Sequence, residues 1–113
     1  MSKMYYSVGV RFNTTDTKEK AAAERWLTDH MNIMIGDEIG CFHTPNVWGV
    51  SIPENGTFVD ATMVRYELRD EGAFDRYVAN WADKMRNDPE RPKCIDVVVR
   101  YVEPRRSGSF FCR

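Results

Sequence analysis

The chain has few of the features that mark membrane, secreted or nucleic-acid-binding proteins. No apolar run approaches the ~20 residues that a membrane-spanning helix needs, and the stretch MSKMYYSVGVRF alternates where a signal peptide would have an apolar block. With 16 basic and 17 acidic residues, the net charge is −1, so no positive excess exists for nucleic acid or for a membrane surface. We therefore expect a cytoplasmic protein with neither a nucleic-acid partner nor a membrane partner.

Cysteine and histidine are scarce, which limits metal and redox chemistry. Cys41, Cys94 and Cys112 are an odd number and lie far apart, so they indicate reduced thiols. His30 and His43 form no closely spaced pair, and a metal would need a further ligand from a distant acid. Glycine-rich phosphate loops, Ser-His-Asp arrangements and paired carboxylates are also missing. We expect no metal and no cofactor.

What the chain does contain is an orderly succession of strand and helix patterns. Period-two alternation predicts strands near 4–12, 42–52, 57–68 and 94–102, and helical spacing predicts helices over 17–35 and from Asp70 to the break at 87–92. Asp16-x-x-Glu19 resembles a capping box, and Gly36 and Gly40 follow the first helix. Asn55-Gly56 is typical of a tight hairpin turn. Pro45 indicates an edge strand, a bulge or a late strand start.

This element order predicts the fold class. A β-α-β-β-α-β succession with right-handed crossovers gives an α+β, ferredoxin-like fold, a four-stranded antiparallel sheet with two helices on one face. At 113 residues the chain suits a single domain. We place that domain at residues 1–104 and expect an irregular tail at 105–113, whose Phe110 and Phe111 either dock on a partner subunit or move freely.

The last strand predicts a second copy of the chain. Alternation places Val97, Val99 and Tyr101 on one face and Val98 and Val102 on the other, so both faces are apolar. Two helices cover only one face of a sheet. A symmetric homodimer is the economical cover for the other face.

Two stretches resemble a known superfamily. RWLTDHMNIMIGDEIGCF, with a Trp-Leu-x3-His helix and a Gly-x-Phe strand entry, and VRYELRDEGAFDRYVANWADKMR, with a Tyr-Glu strand running into a helix, resemble small members of the dimeric α/β-barrel superfamily. The resemblance extends over about residues 4–103. It implies two sheets closing into a barrel and a ligand lying between sheet and helices. Its characterised members include polyketide cyclases, lactone isomerases, monooxygenases and haem-degrading enzymes.

His30 is the strongest candidate for chemistry. It follows Trp26 by four residues and Leu27 by three, so it projects from the apolar side of the helix toward the sheet. A neutral imidazole there is a general acid or base, and the resemblance implies a helix-borne histidine beside the cleft. Tyr66 and Tyr6 enter the same cleft if their faces turn toward the helices. Each of the three is otherwise an ordinary core residue.

Several further residues are weaker candidates. His43 either meets His30 across the cleft as a second catalytic group or lies in solvent at an irregular edge. Trp26, Trp48 and Trp81 either line a site for a flat ligand or only pack the core. The charged side chains of the last two strands indicate ion pairs on the dimer-facing side, one of them a candidate substrate clamp: Arg65, Glu67, Asp96 and Arg100.

These patterns favour one function and leave others open. We expect a homodimer that binds a small apolar or aromatic molecule, with cofactor-independent cyclase or isomerase chemistry in which His30 moves a proton and Tyr66 orients the substrate. A non-catalytic carrier, a protein-interaction module and a monooxygenase of the same superfamily are the alternatives.

Overall fold

The computed structural model describes residues 3–104. The predicted tail at 105–113, with Phe110, Phe111 and Cys112, lies outside the described residues. The elements in chain order are β1 (Tyr5–Phe12), α1 (Thr17–Met34), β2 (Phe42–Glu54), β3 (Thr57–Leu68), α2 (Ala73–Asn80), α3 (Ala82–Arg86) and β4 (Ile95–Glu103). No helix in residues 3–104 is long and apolar enough to cross a membrane.

The four strands form one antiparallel sheet in the order β2-β3-β1-β4. The predicted α+β class and the four-stranded antiparallel sheet are therefore confirmed, and the predicted strand boundaries agree with the observed ones within about two residues. Strands β2 and β4 form the two edges of the sheet. The two central strands, β1 and β3, come from different halves of the chain, so the sheet cannot form from either half alone.

The helices cover one face of this sheet, which we call the helix face. Its central side chains come from alternate residues of β1 and β3, among them Tyr6, Val10, Val64 and Tyr66, and all four are buried. They form one cluster with buried helix residues, namely Ala23, Leu27, Met34, Ala73, Tyr77 and Ala82. The opposite side, which we call the open face, has no helix against it in residues 3–104. Burial of the apolar helix sides against this one face holds the helices in place.

Helix α1 begins at the predicted cap but with a different second partner. The Asp16 carboxylate accepts a hydrogen bond of 2.8 Å from the Lys18 backbone N–H. In a capping box the Glu19 carboxylate would bond the Asp16 backbone N–H. Instead, the Thr14 hydroxyl accepts from Asp16 N–H and donates to Glu19. Thr14 therefore completes the helix start that the sequence pattern assigned to two residues alone.

The predicted second helix is interrupted. Helix α2 ends at Asn80 and α3 begins at Ala82, with Trp81 between them at φ −130° and ψ −31°. Asp70 stabilises the backbone just before α2, because its carboxylate accepts a hydrogen bond of 2.9 Å from the Gly72 N–H. The apolar spacing continues through the break, so periodicity alone could not detect it.

The predicted hairpin between β2 and β3 is present. Asn55 and Gly56 have positive φ values of 50° and 81°, the backbone that a type I′ turn requires. The expected irregularity at Pro45 is also present: the pairing of β2 with β3 shifts between His43 and Asn46, and Thr44 has a φ of 49°. Strand β2 is an edge strand, where a proline does not interrupt the hydrogen bonding.

The predicted faces of β4 are wrong because this strand contains a bulge. Gly9 pairs with Val99 and the next residue, Val10, pairs with Val97, so Val98 is an extra residue. Val98 and Val99 both approach Gly9 from the open face, whereas Val97 shares the helix face with Val10. The alternation changes phase there, which the simple period-two prediction could not follow. As a result Arg100, opposite Val8, lies on the helix face instead of the dimer-facing side.

Candidate functional site

A cavity lies between the helix face, helix α1 and the segment that joins α3 to β4. Its volume is about 50 Å³. The polar or titratable side chains that line it are Tyr6, His30, Tyr66, Tyr77, Arg86, Arg91 and Arg100, and its apolar wall includes Trp26, Leu27, Met34, Val64 and Met85. The structure therefore brings four of the predicted site residues together: Tyr6, Trp26, His30 and Tyr66.

His30 is held at the cavity by its neighbour on α1. The imidazole and the Trp26 indole stack with ring centroids 4.7 Å apart and planes 18° from parallel, because the two residues are one helical turn apart. Burial lowers the pKa of His30 below its ordinary value; Asp88 opposes this shift and Arg91 adds to it. The imidazole is therefore neutral at neutral pH and can accept a proton.

Three buried tyrosines form the floor of the cavity. The ring centroid of Tyr6 lies 6.4 Å from that of Tyr66 and 5.8 Å from that of Tyr77, and Phe42 packs against all three. Burial, and then the neighbouring phenols, raise the pKa of Tyr66; burial is also the largest cause of the raised pKa of Tyr77. The phenols of Tyr66 and Tyr77 therefore stay protonated and can donate a hydrogen bond.

Three arginines line the cavity, and the sequence patterns predict none of them there. Arg86 ends α3, Arg91 lies in the following loop, and Arg100 extends from β4. Only Arg100 was considered, and it was placed on the wrong face. The signal that could have found it is Gly9, since a glycine inside a strand often marks a bulge. Arg86 and Arg91 follow a helix pattern into a loop, and no periodicity indicates where they point.

The other predicted site residues lie elsewhere. His43 is on the open face, where its Nδ1 atom is 2.9 Å from the Glu67 carboxylate, so it does not meet His30. Trp48 is also on the open face, opposite Met63, and is 38% exposed. Trp81, at the junction of α2 and α3, lines a separate surface groove with residues that follow α1. The alternative that placed His43 at an irregular edge fits this arrangement.

The open face has its own polar arrangement around Arg65. The Arg65 guanidinium lies 4.2 Å from the ring centroid of Tyr5 and 5.5 Å from that of Trp48, within the range of a cation–π contact. At the far end of β1, Arg11 forms an ion pair with Glu54. These charges stand beside apolar side chains of the same face instead of forming the predicted row of cross-strand pairs.

The size of the cavity limits what it holds in this conformation. A water molecule needs roughly 10–15 Å³ of such volume, so about 50 Å³ accommodates a few waters or a short chemical group. Sites for drug-sized ligands are typically about 300–1,000 Å³. The Trp26 and His30 side chains that line it are only partly buried. No group of three or more His, Cys, Asp or Glu residues suited to a metal occurs between residues 3 and 104.

Comparisons with known proteins do not identify a family for this chain. No protein-family model matches it, and no curated protein is significantly similar in sequence.

Proposed function

We propose that the protein binds a small, mostly apolar molecule between the helix face and helix α1 and carries out acid–base chemistry on it. The observation that supports this proposal is that His30 and Tyr66 line one cavity, although they come from a helix and a strand far apart in sequence. A neutral base and a protonated phenol are complementary groups for moving a proton on a carbonyl compound. The reaction class is isomerisation, tautomerisation or cyclisation.

His30 is the proton shuttle in this proposal. Its neutral imidazole removes a proton from the carbon beside a carbonyl group, and the electron pair of that C–H bond moves to form the enolate. The imidazolium then returns the proton to the enolate, at the same carbon or at another atom. Burial of His30 supports this role, because it keeps the resting imidazole unprotonated.

Tyr66 orients the substrate. Its hydroxyl donates a hydrogen bond to the carbonyl oxygen. This hydrogen bond becomes stronger as negative charge develops on the oxygen. Its raised pKa supports the role of a donor over that of a base. Tyr6 and Tyr77 supply neighbouring aromatic surface.

The α-proton exchange of a flat aromatic ketone tests the proposal. Acetophenone is incubated with the protein in D₂O, and loss of its methyl signal is followed by ¹H NMR. We expect exchange above the buffer rate, a fall of at least about tenfold in His30→Gln, and a smaller fall in Tyr66→Phe. His43→Gln is the matched control, since it removes the other histidine, which lies on the open face.

Binding without exchange would decide for the carrier alternative. If acetophenone shifts the Trp26 indole N–H signal but its methyl protons do not exchange, the protein binds without catalysing. If acetophenone neither exchanges its methyl protons nor shifts the Trp26 signal with the wild type, and the Trp26 signal of His30→Gln is also unaffected, the proposed function is wrong.

We also propose that the fold is ferredoxin-like and that two copies pair through their open faces into an α/β barrel. The antiparallel order β2-β3-β1-β4, with helices after β1 and β3, supports the first part. Apolar side chains on the open face support the second, since Trp48 and Val98 are each 38% exposed there.

A further inference from the structure

We infer that the ligand of this cavity is a small organic carboxylate, whose acid group is held by Arg91 and Arg100. This inference rests on the proposed function and specifies its substrate class. An apolar cleft alone would favour a neutral hydrophobic molecule. The arginines that line this cleft favour a molecule that combines an acid group with an apolar body.

The side chains that line the cavity carry an excess of positive charge. Arg86, Arg91 and Arg100 line it, and no Asp or Glu does. Arg91 and Arg100 form no side-chain ion pair with an acid anywhere in residues 3–104. Arg91 and Arg100 are both partly buried, and a partly buried charge without a counter-charge is unfavourable. A bound carboxylate would supply the missing negative charge.

Asp88, in the loop that carries Arg91, is already hydrogen-bonded. Asp88 acts on His30 electrostatically, but its Oδ1 atom accepts a hydrogen bond of 2.9 Å from the Glu90 backbone N–H. The Arg91 backbone N–H, not its guanidinium, bonds the Asp88 carbonyl oxygen at 3.2 Å. The loop at 87–92 therefore uses Asp88 to hold its own backbone and leaves the Arg91 guanidinium for another anion.

The positions of the arginines fit the proposed chemistry. Arg91 is close enough to His30 to lower the pKa of the imidazole, and Arg86 and Arg100 act in the same way on Tyr77. A carboxylate bound between Arg91 and Arg100 would therefore lie within the electrostatic range of both the base and the phenols.

The size of the cavity favours a short acid. Acetate has four non-hydrogen atoms, comparable with the few waters that about 50 Å³ accommodates. Benzoate requires the stacked Trp26 and His30 rings to move. The two acids therefore test the cavity with its observed side-chain positions and in a widened state.

The experiment compares each acid with its neutral amide. Acetate and acetamide, benzoate and benzamide, and inorganic phosphate are titrated into ¹⁵N-labelled protein, and the Trp26 indole N–H signal is followed. We expect each acid to bind at least about tenfold more tightly than its amide, because bonds to a charged partner are the stronger ones. Arg100→Gln and Arg91→Gln should each reduce that preference severalfold, and Arg100→Lys should restore part of it.

One control variant and several contrary outcomes test the inference. Arg25→Gln removes the same charge from the exposed side of α1 and should leave the preference unchanged. Equal binding of acid and amide would overturn the inference while leaving the proposed function intact. Tighter binding of phosphate than of acetate would overturn the carboxylate assignment. If no probe shifts the Trp26 signal, the inference fails, and the acetophenone experiment decides the proposed function separately.

Discussion

The pairing of His30 with Trp26 places an ionisable group where charge is costly. The stacked indole and the surrounding apolar wall remove water from one side of the imidazole, and burial lowers its pKa from an ordinary value of 6.5. In the unfolded chain His30 binds a proton as the pH falls through 6.5, whereas the folded chain still holds it neutral. Acidification therefore favours the unfolded state.

We predict that His30 makes the folded protein less stable on acidification. As the pH falls from about 7 to about 5, the free energy of unfolding of the wild type should decrease, and His30→Gln should decrease less over the same range. Urea denaturation at several pH values measures both. An equal decrease in the two proteins would contradict the lowered pKa. His43→Gln, tested in parallel, should retain the decrease that His30 causes.

Residues set on regular elements could be assigned from sequence, and residues beyond an irregularity could not. The helical spacing of Trp26 and His30 predicts that both face the sheet, whereas the alternation around Tyr66 groups it with Val64 and Leu68 without showing which face the helices cover. Arg100 was placed on the wrong face because one extra residue in β4 reverses the alternation after it. Arg86 and Arg91 depend on the loop path, for which the sequence has no periodic signal.

At the level of the elements, Gly9 and the β4 bulge form one unit. A Cβ atom on Gly9 would lie 2.8 Å from Val99 Cγ1, 2.9 Å from Met63 Sδ and 3.3 Å from Val98 Cγ2. Two valines oppose a single residue there, and only the missing side chain of glycine leaves room for both. The bulge and the glycine therefore require each other.

We predict that Gly9→Ala lowers the free energy of unfolding by about 1–3 kcal/mol, the usual cost of inserting a methyl group into a filled space. Gly49→Ala is the matched control, because a Cβ atom on that strand residue meets nothing within 4 Å. Its effect should be within about 0.5 kcal/mol. Urea denaturation measures both variants. Equal free energies of unfolding for the two variants would show that the valines can move aside without destabilising the fold.

Element boundaries were predictable where local chemistry determines them. The Asn55-Gly56 turn and the Asp16 cap depend on the conformation of one or two residues, and both occur where predicted. The break at Trp81 has no glycine or proline to signal it. Helices α2 and α3 bury Tyr77 and Ala82 in the same core cluster, so both sides of the break at Trp81 are packed against the core.

At the scale of the whole molecule, the open face combines a buried centre with exposed apolar side chains around it. Its centre is already dense, since Ser7, Ala61 and Met63 are buried within one copy. Around that centre Trp48 and Val98 remain exposed, and the apolar surface has no helix against it in the described part of the chain. These features are compatible with the proposed homodimer.

We predict that a charge at Val98 separates the proposed dimer. Val98→Asp should yield a monomer by light scattering at micromolar concentration, because an unpaired carboxylate would be buried between the two open faces. Val78→Asp is the matched control: Val78 is 47% exposed but lies on α2, so that variant should remain dimeric. A wild-type protein that is monomeric under the same conditions would refute the dimer itself.

Because β4 contains three consecutive valines, it should tolerate the loss of one residue better than the insertion of one. Loss of any one residue from Val97, Val98 and Val99 would leave valine at both remaining positions and restore a regular ladder, with Arg100 still opposite Val8. One added residue would require a second bulge or turn Arg100 out of the cavity. Natural variation in chain length at this point is therefore expected to consist of deletions, because a deletion preserves both the apolar open face and the arginine of the cavity.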